Sequence, residues 1–310
     1  TGDYRAGTRP LRHTNGLANW IRILGPALVN DARYSGGWRF GRNSTPGAVS
    51  GTNGRVGLRG VDAEGFPWIT VTGLSALGRN MHGRDQGSLT HQFVDTLTWM
   101  KGKHQFKTGF ELRYSLNEDI FNTTGGGGFT FSNRATNDGL AALLLGWTTS
   151  AQRQTTDMIA SRSDFYGAFF QDDWKVLPRL TLNLGVRWDL DTPRWERDNH
   201  QSGFDGSVMN PVAGVPGVIT FSGRDGRGKY AHDFDANNFG PRVGFAYRAG
   251  ARTVLRGGYG IFYLGAYTNV VAILTNGFGD NASFESPDGG FTPAFLFRNG
   301  LPAPIREELG

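Results

Sequence analysis

Leu180-Thr181-Leu182-Asn183-Leu184-Gly185-Val186-Arg187-Trp188-Asp189-Leu190 alternates without error. Leu180, Leu182, Leu184, Val186, Trp188 and Leu190 fall on one side of an extended chain. Thr181, Asn183, Gly185, Arg187 and Asp189 fall on the other. Side chains of a strand alternate faces, so this is a strand with one apolar and one polar face. Strands of soluble domains run to ~5–6 residues. This one has the ~9–11 residues that a tilted strand needs to cross a bilayer.

The neighbouring sequence repeats the pattern. Asp164 to Trp174 carries Tyr166, Ala168, Phe170 and Trp174 on one parity, and the short link Lys175-Val176-Leu177-Pro178-Arg179 predicts a β-hairpin. Asp172 breaks the apolar parity, and its place near the turn predicts headgroups around it. A second hairpin runs Leu89–Met100, Lys101-Gly102-Lys103, His104–Ser115. In its return arm Phe106, Thr108, Phe110, Leu112 and Tyr114 alternate with polar residues. A third places Pro241, Val243, Phe245 and Tyr247 before the turn Arg248–Arg252, and Leu255, Tyr259, Ile261 and Tyr263 after it. Val254 and Phe262 fall on its polar side. Pro26–Phe40 and Phe66–Leu77 are read as two more strands, and Asn43–Arg59 as loop.

Aromatic residues sit at set distances from the turns. Trp99 and Trp174 lie immediately before two of them. Tyr114, Trp188 and Tyr263 lie about ten residues beyond, a rise of about 25 Å at ~40° tilt. These five are the candidate aromatic girdle. The alternative, core aromatics of a sandwich, gives no reason for a register to one membrane thickness. The joins Asn117–Ala160, Thr192–Phe239 and Gly265–Gly310 are long and rich in Gly, Asn, Asp and Ser. Short turns at one end and long loops at the other are the asymmetry of outer-membrane barrels. Asn137–Gly146 predicts a short helix capped by Asn137 or Asp138, with its leucines packed locally.

Composition agrees. The chain has 310 residues with 47 Gly, 13 Pro, 13% aromatic residues, 19% charged residues and no Cys. Such Gly content disfavours a helical protein. The aromatic content disfavours disorder. Without Cys there is no disulfide scaffold, thiolate metal site or thiol nucleophile. The net charge of +5 comes from scattered residues, so nucleic acid is not implied. No apolar run reaches the ~18 residues of a transmembrane helix. Thr1-Gly2-Asp3-Tyr4 does not open a signal peptide.

Phe169-Phe170-Gln171-Asp172-Asp173-Trp174-Lys175, followed by Pro178 to Trp188, resembles the barrel hairpin of TonB-dependent outer-membrane receptors. Asn238 to Tyr247 and Thr253 to Tyr263 resemble the Oar-like branch, whose members carry an N-terminal carboxypeptidase-regulatory-like domain. Gly102 to Gly109 and Gly65-Phe66-Pro67 fit the same branch. The resemblance covers about residues 26–265. It implies an all-β antiparallel transmembrane barrel in the outer membrane of a Gram-negative bacterium, with short periplasmic turns and long extracellular loops. The whole chain, 1–310, is expected to be one part of such a barrel domain, an internal piece of roughly ten to twelve strands. Signal peptide, energy-coupling box and plug domain are not in it. The partners implied are outer-membrane lipid, a plug domain and further barrel strands of the same receptor, TonB through an N-terminal part, and a solute that the sequence does not name.

Catalytic and metal motifs fail on inspection. Asp233-Phe234-Asp235-Ala236-Asn237 begins like a calcium loop, but Asn238 replaces its Gly and Gly244 its Glu. Gly125–Gly128 lacks a following GK[ST]. No H-E-x-x-H or G-x-S-x-G occurs. Asp172 and Asp173 point to opposite faces. Asn43-Ser44-Thr45 is a sequon by pattern only. No enzyme, cofactor, catalytic residue or metal ligand is expected. The polar parity is the functional lead, with Lys107, Glu111, Arg113, Arg187, Asp189, Arg242 and Arg256 as candidate lumen-lining residues. They form either a hydrated wall of ion pairs or a surface for a plug or a passing anionic solute. Two other readings of the chain stay open, a passive porin or adhesion barrel and a soluble carbohydrate-binding protein.

Overall fold

The computed structural model describes residues 10–43, 51–61, 66–78, 83–122, 125–156, 159–230, 233–264 and 277–302. Sequence expectations on Thr1–Tyr4, Ser44–Thr45, Gly65, residues 265–276 and Glu308–Gly310 lie outside them. The wall is one sheet whose strands follow chain order: β1 (Leu11–Gly25), β2 (Leu28–Asn43), β3 (Gly83–Lys101), β4 (His104–Asn122), β5 (Ile159–Leu177), β6 (Leu180–Asp191), β7 (Asn238–Arg248) and β8 (Val254–Gly260). Every neighbouring pair is antiparallel. A two-residue strand, Trp195–Glu196, adds to β5. Among the described residues the sheet is open, with β1 and β8 at its edges.

Turn chemistry sets the hairpins. Gly102 has φ 61°, the left-handed value that a two-residue β-turn needs and that Gly adopts without strain. Pro178-Arg179 makes the equally short link between β5 and β6. The register is staggered. A row of paired residues starts at Leu28, the first residue of β2. It passes through Trp99, Phe106, Asp172 and Leu184 to Val243, five residues short of the end of β7 at Arg248. That is one residue of stagger per strand step. With ~3.3 Å per residue and ~4.8 Å between strands, it means a tilt of about 35°, which closing a wall into a barrel requires.

The register separates two faces. Phe110, Ala168, Trp188 and Phe239 form one row, and Glu111, Gly167, Asp189 and Asn238 the next. The first face carries the predicted apolar residues. Phe110 is 42% and Leu184 38% exposed, whereas the side chains of Glu111 and Arg187 keep only 18% and 22%. A soluble protein would reverse this order.

Four expectations change. Phe66–Leu77 is not a wall strand: only Trp68–Val71 is extended, and Ile69 bridges back to Leu77. β1 lies where no strand was predicted, and its Leu17, Ile21 and Ile23 occupy the polar face of the sheet. The wall holds eight long strands among the described residues, because much of the remaining chain folds above it. Asp172 stands five residues from the end of β5, deeper than expected. There His104 Nδ1 meets its Oδ2 at 2.7 Å, and Phe106 and Trp174 stack on the imidazole. The imidazole, rather than lipid headgroups, is its partner.

The long loops condense into a cap. Trp68–Val71, Gly128–Phe131, Ser150–Thr156 and Gly279–Glu285 form a second sheet whose first two strands are parallel. Val71, Phe129, Phe131, Ala142, Ala151 and Leu301 are its buried core, with Phe297 edge-on to both phenylalanines. The helix Gly139–Leu145 starts at Asp138, whose Oδ1 accepts from the N–H groups of Leu140 and Ala141, and ends at left-handed Gly146. Gly139 and Ala142 are buried and Leu143 packs beside them, while Leu140, Leu144 and Leu145 remain exposed. A separate hairpin joins Ser202–Met209 to Pro216–Phe221.

Candidate functional site

The polar face of the wall carries a cavity of about 390 Å³ where β4, β5, β6 and β7 run side by side. Strand parity delivers Glu111 and Arg113 from β4, Phe165 from β5, Arg187, Asp189 and Asp191 from β6, and Arg242 from β7. Phe262 and Tyr263, beyond the end of β8, complete the lining.

Arg187 is the hub. Its Nη2 donates to Glu111 Oε2 at 3.0 Å and its Nε to Asp189 Oδ1 at 2.8 Å. Gln92 Nε2 holds the other oxygen of Glu111 at 2.8 Å. Gly167 lies between Glu111 and Asp189 in the register. A Cβ there would stand 2.8 Å from Arg187 Nη2 and 3.0 Å from the Phe165 ring, so glycine opens the floor of the site.

The other two arginines lean on rings rather than on carboxylates. Arg113 lies 4.7 Å from the centroid of Phe165 and Arg242 4.6 Å from that of Phe262. A guanidinium over a ring keeps its N–H edge available. The cavity therefore sets three arginines against three carboxylates: Arg187 is held by Glu111 and Asp189, Arg113 and Arg242 are fixed by stacking, and Asp191 stands within electrostatic reach of Arg113.

Five of the seven predicted polar-face residues meet here: Glu111, Arg113, Arg187, Asp189 and Arg242. Lys107 lies on the same face opposite Gln171, nearer the short turns, and Arg256 lies opposite Ala246. Neither lines the cavity. The sequence reading missed Phe165, Asp191 and Phe262. Asp191 continues the parity of Asp189 one residue past the predicted strand, and Phe262, an apolar residue on the polar parity just beyond β8, lays its ring against Arg242. Among the proposed girdle residues, Trp99 packs on Phe106 and Trp174 on His104, both near the short turns. Tyr114 is paired opposite Asp164, and Trp188 donates from Nε1 to Ala236 O at 2.8 Å. Tyr263 lies outside any strand and lines the cavity instead.

Among the described residues, no three His, Asp or Glu side chains come together as metal ligands. Residues 3–309 match the family described as outer membrane beta barrel domain. A stretch of 100 residues is 36% identical to the TonB-dependent transporter Oar of Myxococcus xanthus. It represents 29% of this chain and 9% of that relative.

Proposed function

Because the chain belongs to the outer-membrane β-barrel domain family, we propose that it supplies wall and external loops to an Oar-like TonB-dependent receptor. Its place is the outer membrane of a Gram-negative bacterium. The apolar face turns to lipid and the polar face to the lumen. The reading is supported by the faces of the sheet: exposed Phe110 and Leu184 on one side, the Arg187 cluster on the other. The likeness to a TonB-dependent transporter adds support over 29% of the chain.

In this reading the barrel performs no chemistry on its solute. Residues 1–310 form part of one barrel domain, and gating and TonB coupling belong to chain outside it. The cavity gives a descending solute a ledge of mixed charge. Arg113 and Arg242 engage carboxylate or phosphate groups, while Glu111 and Asp189 keep Arg187 in place.

The test is conductance of the whole receptor in a planar lipid bilayer. A plugged, energy-coupled receptor stays closed, and solute uptake by cells stops when the proton gradient is collapsed. A steady open conductance in the intact protein, with uptake indifferent to the gradient, would establish the passive porin instead.

A further inference from the structure

On the opposite, apolar face of the wall, a second cluster lies above the lipid-facing band. Arg162 is twelve residues before Trp174 on β5, a rise of about 32 Å at the tilt of the sheet, against an apolar band of ~25 Å. Tyr166 and Tyr114 stand below it. This height corresponds to the headgroups of the external leaflet.

Trp195 pairs with Arg162 and brings its indole to the guanidinium, 5.1 Å from the ring centroid. The Lys229 ammonium stands 3.7 Å from the same centroid and 5.0 Å from that of Tyr230. Two cations thus share one ring. Among the described residues neither forms an ion pair with a carboxylate. Asp164 attracts both from beyond pairing distance. Glu196, next to Trp195, is spent on the backbone N–H groups of Ala160, Asp198 and His200. One distant carboxylate against two cations leaves a positive site. The buried Trp195 Nε1 also has no partner among the described residues.

We infer that Arg162, Lys229 and Trp195 form a binding site for a phosphate monoester, carried by a phosphorylated glycolipid of the outer leaflet. A guanidinium fork and an ammonium suit phosphate oxygens. The ring holds both cations at headgroup height, where interfacial tryptophans sit. The inference rests on the barrel reading above, but not on transport.

The test uses the whole receptor in detergent, titrated with bisphosphorylated lipid A, with the same lipid dephosphorylated, and with inorganic phosphate, and read by native mass spectrometry. Bisphosphorylated lipid is expected to bind at least about tenfold more tightly than the dephosphorylated form. The double variant R162A/K229A should lose that preference. Lys101→Ala, a cation at the opposite rim, should keep it. Equal binding of both lipids, or an unchanged preference in the double variant, overturns the site. Inorganic phosphate that binds as tightly as the lipid overturns the lipid source. Quenching of tryptophan fluorescence by brominated lipid, in the same variants reconstituted in bilayers, reports membrane insertion whatever the headgroup. Quenching that persists while phosphate preference is absent refutes the site alone, and absence of quenching refutes the barrel on which it rests.

Discussion

Removing Arg187 is the sharpest test of the polar face. Arg187→Ala leaves Glu111 and Asp189 facing each other without the cation that both now contact at 3.0 and 2.8 Å. An exposed ion pair is worth at most about 1 kcal/mol, and breaking a fully buried one costs about 3–5 kcal/mol. These side chains are 18–22% exposed, with water on one side, so a loss of about 2 kcal/mol is expected. The assay is urea unfolding of the protein folded into lipid vesicles, followed by tryptophan fluorescence. A double-mutant cycle with Glu111→Gln isolates the pair. Neutralising Glu111 in the Arg187→Ala background should restore part of the loss, giving a coupling of about 1 kcal/mol. Arg187→Lys should fall between, because a point charge cannot reach both carboxylates as the guanidinium fork does. A coupling below about 0.3 kcal/mol would show that the cluster is only a hydrated surface and would refute the hub.

Three further outcomes follow from the same geometry. Val186→Arg, on the exposed apolar face, should destabilise the folded barrel by about 2–4 kcal/mol, whereas Asn183→Arg on the polar face should cost under about 1 kcal/mol; heat-modified gel mobility reads the folded fraction of each. Gly109→Ala would put a Cβ 2.2 Å from the Asp95 carbonyl oxygen and 2.9 Å from the Phe169 ring, so a loss of about 1–3 kcal/mol is expected in the same urea titration. In the external hairpin, hydrogen bonds from Ser207 and Arg227 lower Asp205 from 3.8 to about 2. Its stabilisation is complete above the ordinary carboxylate range and disappears as pH falls through about 2. Hydrogen exchange of Ser202–Met209 should therefore accelerate between pH 4 and pH 2, and Asp205→Asn should remove that pH dependence.

Where one face of a strand meets lipid and the other water, sequence shows the strand directly. β6 reads without error because every even residue from Leu180 to Leu190 shares one environment. β1 was illegible because its apolar residues, Leu17, Ile21 and Ile23, sit on the polar face and Asn15 and Asn19 interrupt them. The cavity was legible as parity but not as a place. Alternation put Arg113, Arg187 and Arg242 on one face, and only the register shows that they converge while Lys107 and Arg256 do not. The cap was hidden for another reason. Its strands at Trp68–Val71 and Gly128–Phe131 pair across more than fifty residues, and such short segments carry no period of their own.

The two parts of the molecule are held together by different solvents. Phe129 and Phe131 of the cap are buried against other side chains, at 2% and 0% exposure, and would be so in any aqueous medium. The wall has no such interior. Phe110, Phe170, Val186 and Phe245 are all exposed by more than a third, and a single sheet layer has no second layer to cover them. From β2 to β7 the backbone is satisfied by strands on both sides, so there the side chains alone need a partner, and hydrocarbon is the partner that matches their chemistry. The same single layer explains the site. A wall one residue thick cannot bury a charge except by crowding it among like-facing neighbours, which Glu111, Asp189 and Gly167 do for Arg187. The polar cluster and the greasy surface are thus two consequences of one alternation, and a change of register by one residue would exchange them.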